Sequence, residues 1–335
     1  MRLEEYKKQF IRSMLDLAWR QWSLLGVYSD FNISENRIID PEALILFTAE
    51  AGRYDARLYD EALSWLVENE EIINVQRMQN IMKADGGGDE SLVAAVSSVL
   101  ARNNRSAKWK KMADKKSKKK TPLFLSLDGG PLPVRGEVDE DFARRGWLRP
   151  ELNLRKLSAR IEAFRVSNLV IRLRYLFGIN LRAELIAYLL THETGNPTEI
   201  SKKIYYSQPT VRQACAEFER SGMARLTPNG KEIKIALDQK RWSDFLKLKS
   251  VNKIRWLNWA EIFKAFNTIL RFLESRDWSL VSDYIQISES NRLMKSVLRE
   301  LVKNNIRLLA NDGFSDSSNG EADLKKCVET VLKLL

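Results

Sequence analysis

Asn196-Pro197-Thr198-Glu199, Ser207-Gln208-Pro209-Thr210-Val211 and Thr227-Pro228-Asn229-Gly230 punctuate residues 181–238, the stretch whose reading decides the fold. Ahead of them, Leu185, Ile186, Leu189 and Leu190 lie on one face of a helix that Gly195 ends. Asn196 offers a capping side chain and Pro197 a first-turn residue with no N–H to satisfy. Glu199, three residues after the cap, completes a capping-box arrangement. On this second helix Ile200 and Ile204 point inward, and Tyr205-Tyr206 make a short turn. Pro209 opens a third helix, on which Val211, Cys215 and Phe218 recur at spacings of four and three. That spacing turns Gln208, Thr210, Arg212 and Gln213 outward. Gly222 ends the helix as a permissive C-cap. Ala224 and Leu226, then Ile233, Ile235 and Leu237, alternate as two strands around Asn229-Gly230, a hairpin signal.

Three short helices followed by a hairpin is the plan of a winged helix-turn-helix. Ser207-Gln208-Pro209-Thr210-Val211, continuing to Phe218-Glu219-Arg220-Ser221-Gly222-Met223, resembles the recognition-helix region of bacterial winged helix regulators of the ArsR and MarR type. The resemblance covers about a fifth of the chain. It implies double-stranded DNA as the partner, bound by a homodimer with the third helix in the major groove and the wing on the backbone. It also implies base or phosphate contacts by Ser207, Gln208, Thr210, Arg212 and Gln213, with Asn229, Gly230 and Lys231 as the wing tip. The cysteine-rich metal-sensing motif of many ArsR-type proteins has no counterpart in this sequence, so metal sensing is not implied.

The residue chemistry suits that partner. A helix N-terminus offers free N–H groups to phosphate. Glutamine pairs with adenine and arginine with guanine in the major groove. Lys202 and Lys203, on the second helix, are placed for the phosphate backbone beside it. Charge argues the other way. Residues 179–238 hold eight basic and seven acidic side chains, a net of +1. Winged helix modules also serve as protein–protein adaptors, and that reading stays open beside DNA binding.

Farther out, the chain of 335 residues carries a formal charge of +11. Nine of those net charges fall within residues 102–120, whose only large apolar side chains are Trp109 and Met112. Such a composition predicts a disordered tether, serving either as a solvated linker or as an arm that neutralises phosphates without sequence preference. The glycines at 86–88 mark a boundary before it, so 85–121 reads as a linker. Residues 122–153 hold four of the eight prolines and read as an extended connector, docked through Phe124, Leu125 and Trp147. A long amphipathic helix over 154–177 then leads into the central domain, 154–240.

The fold class expected is mainly α, with helical regions on both flanks of the central domain. In residues 1–84, Leu3, Tyr6, Phe10, Met14 and Leu17 form a helical stripe, and Asp40-Pro41 starts a second helix. Residues 241–335 carry Trp242, Trp256, Trp259, Phe263, Phe266 and Phe272, with a loop at 312–320. The spacing of Trp256, Trp259, Phe263 and Phe266 suits a bundle core, or else a ligand pocket or dimer seam. No apolar run approaches the ~18 residues of a membrane span. With Cys215 and Cys327 the only cysteines, a cytoplasmic protein without a disulfide framework is expected. His192 is the only histidine. It ends a predicted helix, where an imidazolium would meet the negative end of the helix dipole. No spaced carboxylates, nucleophile–base pair or phosphate loop stand out, so no catalytic residue, cofactor or metal is assigned. Asp139-Glu140-Asp141 reads as solvated surface, and Cys215 as a small core residue.

Overall fold

Apolar spacing builds two separate cores. The computed structural model describes residues 3–27, 36–85, 88–230, 232–248 and 253–303. Among them the chain is mainly helical. The first part of the chain forms α1 (Leu3–Leu24), α2 (Pro41–Ala51), α3 (Ala56–Asn69), α4 (Val75–Asp85), α5 (Glu90–Asn103), α6 (Ala107–Ala113) and α7 (Glu140–Arg144). The central part forms α8 (Leu169–Phe177), α9 (Leu181–Leu190), α10 (Pro197–Ile204), α11 (Gln208–Arg220) and α12 (Gln239–Phe245). Two more helices follow, α13 (Trp259–Glu274) and α14 (Asp283–Lys303). Strands β1 (Thr121–Pro122) and β2 (Trp147–Leu148) pair in parallel, while β3 (Ala224–Asn229) and β4 (Glu232–Leu237) are antiparallel. No described helix is long and apolar enough to cross a membrane.

The first core is a helical body. The stripe on α1 is buried as its spacing requires, from Leu3 through Tyr6, Phe10, Met14 and Leu17. Asp40 caps α2 by accepting from the Ala43 N–H at 3.1 Å, with Pro41 at the first turn. Every residue of α2 is buried, so it runs through the middle of the body. α13 closes the same core. Its Phe263 ring stacks on Phe47 at 4.1 Å with 6° between planes, and Phe266 meets Phe10 edge-on at 5.9 Å. The Trp259 indole N–H donates to the Ile38 carbonyl at 2.7 Å. Trp259, Phe263 and Phe266 are therefore bundle core, closed to a ligand or a second copy. Among the described residues, those after Asn258 do not make a separate C-terminal core, because α13 completes the body begun by α1 and α2.

The second core joins α8 to α12 and the hairpin, with Ile38 and Ile254 from the flanking segments. Those segments run side by side, with the Ile38 N–H donating to the Arg255 carbonyl at 2.9 Å. Trp242, expected in the C-terminal bundle, belongs here instead. Its ring meets Phe177 and Phe218 edge-on, and its N–H donates to the Met223 carbonyl at 3.0 Å.

Two further expectations change, and one holds. The basic stretch 102–120 is not a featureless tether: α6 folds within it, and Trp109 is fully buried. The Trp109 indole donates to Glu70 at 2.7 Å, and Lys108 pairs with the same carboxylate at 2.9 Å. One large aromatic thus supplies the burial that the average composition lacks. The connector does dock, through buried Leu123, Phe124 and Phe142 and half-buried Trp147. The long helix over 154–177 is shortened to α8. Residues before it spend their backbone groups on the body, where Ala159 N–H donates to Gly26 O at 2.8 Å and Lys156 N–H to the Ser64 hydroxyl at 2.9 Å. Gly26 has φ +104°, and a Cβ there would fall 2.4 Å from the Ala159 carbonyl oxygen. The expected loop at 312–320 and Cys327 lie outside the described residues.

Candidate nucleic-acid interface

α10 begins as its sequence requires. Asn196 accepts from the Thr198 N–H at 2.7 Å and Pro197 fills the first turn. The capping is one-sided, since Glu199 stands exposed and makes no return bond among the described residues. Its C-cap, Tyr205, takes the left-handed conformation with φ 63°, which ends the helix and turns the chain into α11. Ser207 caps α11 by accepting from the Thr210 N–H at 3.4 Å, with Pro209 in the first turn.

The inner side of α11 is Val211, Ala214, Cys215 and Phe218, all buried. Burial pushes the Cys215 thiol up to about 11, so it is a protonated packing group at neutral pH. Ser207, Thr210, Arg212 and Gln213 are exposed on the other side. Gln208 is half-buried and donates to the Thr198 hydroxyl at 2.6 Å, which ties it to α10. Gln213 donates to Glu217 at 3.1 Å, and Glu217 also pairs with Arg182. Among the outward residues of the first two turns, Arg212 alone is a cation, and no hydrogen bond or ion pair holds it among the described residues.

The hairpin is in the register Ala224↔Leu237 to Asn229↔Glu232. Gly230 turns it with φ 62°. Asn229 ends β3 at that turn, and Lys231 lies outside the described residues. Gly195 and Ile235 exchange two backbone hydrogen bonds of 2.9 and 2.8 Å, adding a short third edge to the hairpin. A Cβ at Gly195 would fall 2.5 Å from the Ile200 side chain, which would have to shift to admit it.

The two lysines of α10 part company. Lys202 is exposed, while half-buried Lys203 sits 3.8 Å from Glu261 of α13. Both were expected at a phosphate backbone, but Lys203 faces the helical body. His192 also departs from expectation. Burial lowers its pKa below the ordinary 6.5 against the opposing effect of its Tyr188 carbonyl hydrogen bond of 2.7 Å. A neutral imidazole stacked on Tyr188 at 3.9 Å, not an imidazolium, occupies the end of α9.

Sequence reasoning missed what holds this unit in place. Glu42 of α2, Arg77 of α4, Arg174 of α8 and Glu184 of α9 meet in a buried cluster. Arg174 grips both Glu42 oxygens at 2.7 Å and donates to Glu184 at 3.0 Å and to the Ile72 carbonyl at 2.7 Å. Arg77 reaches Glu42 and Asp40 at 2.7 Å each and the Ile204 carbonyl at 3.0 Å. Burial acts to lower the Arg174 pKa, but Glu42 and Glu184 outweigh it and raise it. Asn80 donates to the Tyr205 carbonyl at 3.0 Å and Asn74 to the Tyr206 hydroxyl at 2.8 Å. The turn that launches α11 is thus fastened to the helical body by three side chains, Arg77, Asn80 and Asn74. The signal available in sequence was a charge set among the inward apolar residues of each of two short helices, Arg174 in α8 and Glu184 in α9.

No family model matches the chain, and no curated protein or solved structure matches it either.

Proposed function

We propose that residues 181–238 form a winged helix-turn-helix and that the protein is a sequence-specific binder of double-stranded DNA, acting as a transcriptional regulator. In this reading α11 enters the major groove and the hairpin lies on the backbone. Arg212 pairs with a guanine edge, Gln208 and Gln213 reach adenine after exchanging their present partners, and Ser207, Thr210 and Lys202 meet phosphate. Asn229 and Lys231 belong to the wing, and two copies bind adjacent half-sites. The observation that carries the reading is the exposure of Ser207, Thr210, Arg212 and Gln213 along α11, clear of the helical body. The opposite side of the same helix is fully committed to the core.

Selection of bound duplexes from a random-sequence pool tests this. A motif should emerge, and replacing its guanines by 7-deazaguanine should weaken binding about tenfold or more, since that change removes a major-groove acceptor. A pool with no enriched motif contradicts the reading.

A protein-docking role is the second reading. It is favoured by the net charge of only +1 over residues 179–238 and by Ile233, a large apolar side chain 52 % exposed on the hairpin. Recovery of one stoichiometric protein partner, with no duplex retained at low salt, decides for it.

A further inference from the structure

The strongest charge concentration in the molecule lies on the other core. Lys110, Lys111, Lys116, Lys118, Lys119 and Lys120 are all exposed, and none of them is ion-paired among the described residues. The segment's other basic groups are partly spoken for, as Arg102 pairs with Asp141, Lys108 with Glu70 and Lys115 with Glu90. Six ammonium groups within eleven residues lie well inside one Debye length of their neighbours, about 10 Å at 0.1 M salt, so they act as one field. Such a set repels itself, and a free loop would relieve the repulsion by spreading.

This loop is held. The Arg145 guanidinium donates twice to the Ala113 carbonyl, at 3.1 and 2.7 Å, gripping the end of α6. The Ser117 N–H donates to Arg144 O at 3.1 Å, and the Thr121 N–H to Gly146 O at 2.8 Å. Gly146, with φ +95°, lies against the lysine run so closely that a Cβ there would fall 2.6 Å from the Lys119 carbonyl oxygen. Buried Trp109 anchors the other end. Solubility alone needs no such fastening, whereas a binding surface for a polyanion does.

We infer that residues 110–120 form a second, fixed binding surface for the phosphate backbone of nucleic acid, mounted on the helical body and independent of base reading by α11. A duplex presents one negative charge about every 1.7 Å of its axis, a density that matches clustered lysines. An anionic membrane fits less well, because no apolar side chain accompanies residues 114–120 to enter the headgroup region, and Trp109 is turned inward.

The test is anisotropy titration of the full chain with a random-sequence 30-base-pair duplex across a salt series. Changing Lys116, Lys118, Lys119 and Lys120 together to Gln should weaken binding at least tenfold at low salt. It should also reduce the slope of log K against log salt by about 3–4, since each phosphate contact contributes roughly 0.9. The same four positions changed to Arg should keep the slope, and an unchanged circular dichroism melt of the Gln variant excludes misfolding as the cause. An unchanged affinity and slope in the Gln variant would overturn the inference. So would charge-dependent capture by phosphatidylserine vesicles without duplex binding. Because the duplex carries no chosen motif, loss of sequence preference with this slope intact would count against α11 alone.

Discussion

Two junctions join the parts of this molecule, and they are built from opposite chemistry. Where α13 closes the helical body, Phe263 lies flat on Phe47 and Phe266 meets Phe10 edge-on, with apolar neighbours all round. Where the central unit meets the same body, the contact centres on Glu42, Arg174, Glu184, Arg77 and Asp40, almost entirely shut away from water, with Ile171 and Tyr205 packed beside them. Apolar packing is adhesive and weakly directional, and tolerates swaps of similar volume. A buried ionic cluster adds little net adhesion over apolar packing, but its guanidinium forks accept few geometries. The first junction supplies stability, while the second sets orientation, aiming the turn at Tyr205-Tyr206 and hence α11.

The contrast can be broken most forcefully at Arg174. Changing Arg174→Met strands Glu42 and Glu184 in the interior and should cost about 3–5 kcal/mol in urea unfolding. Arg174→Lys should lose much of that as well, because an ammonium cannot hold both Glu42 oxygens in a planar fork. At the apolar junction, Phe263→Leu should cost only about 1–2 kcal/mol, the lost stacking plus a small cavity. If Arg174→Lys costs nothing measurable, the geometric demand ascribed to the ionic junction is wrong.

A smaller effect follows from acid. Asp40 is held below its ordinary 3.8, as Arg77 outweighs the opposing effect of burial, so its ionic contribution persists above 3.8 and fades only as pH falls through its lowered value. His192 behaves differently. Its folded pKa lies below 6.5, so the unfolded chain takes up a proton first as pH falls, and stability declines downward from about 6.5. Thermal midpoints measured from pH 7.5 to 5 should therefore drift down in the wild type. They should drift less in His192→Gln, with the ionic junction still intact at pH 5.

Local rules carried far in the central unit. The spacing of Val211, Cys215 and Phe218 gave the buried side of α11, and Asn196-Pro197 and Gly222 marked helix ends where the chain turns. The candidate row Ser207, Thr210, Arg212 and Gln213 was legible because it is simply the other side of that helix. Partners remote in sequence were not legible. Arg174 meets a carboxylate 132 residues away, and no local pattern names it. Lys203 looked like a phosphate contact until α13 brought Glu261 beside it. Averaged composition hid Trp109, whose burial orders a stretch otherwise too polar to fold. The first half of the helix expected over 154–177 lost to backbone bonds that only the folded body offers, such as Ala159 to Gly26.

Whether α11 reads base edges is decided by Arg212→Ala. Its affinity should be compared with that of the wild type on the selected duplex and on a scrambled one. A ten- to hundredfold loss on the selected duplex is expected, with the scrambled duplex nearly unaffected and the melting temperature unchanged. Equal affinities of wild type and variant on the selected duplex would mean that α11 does not read base edges through Arg212.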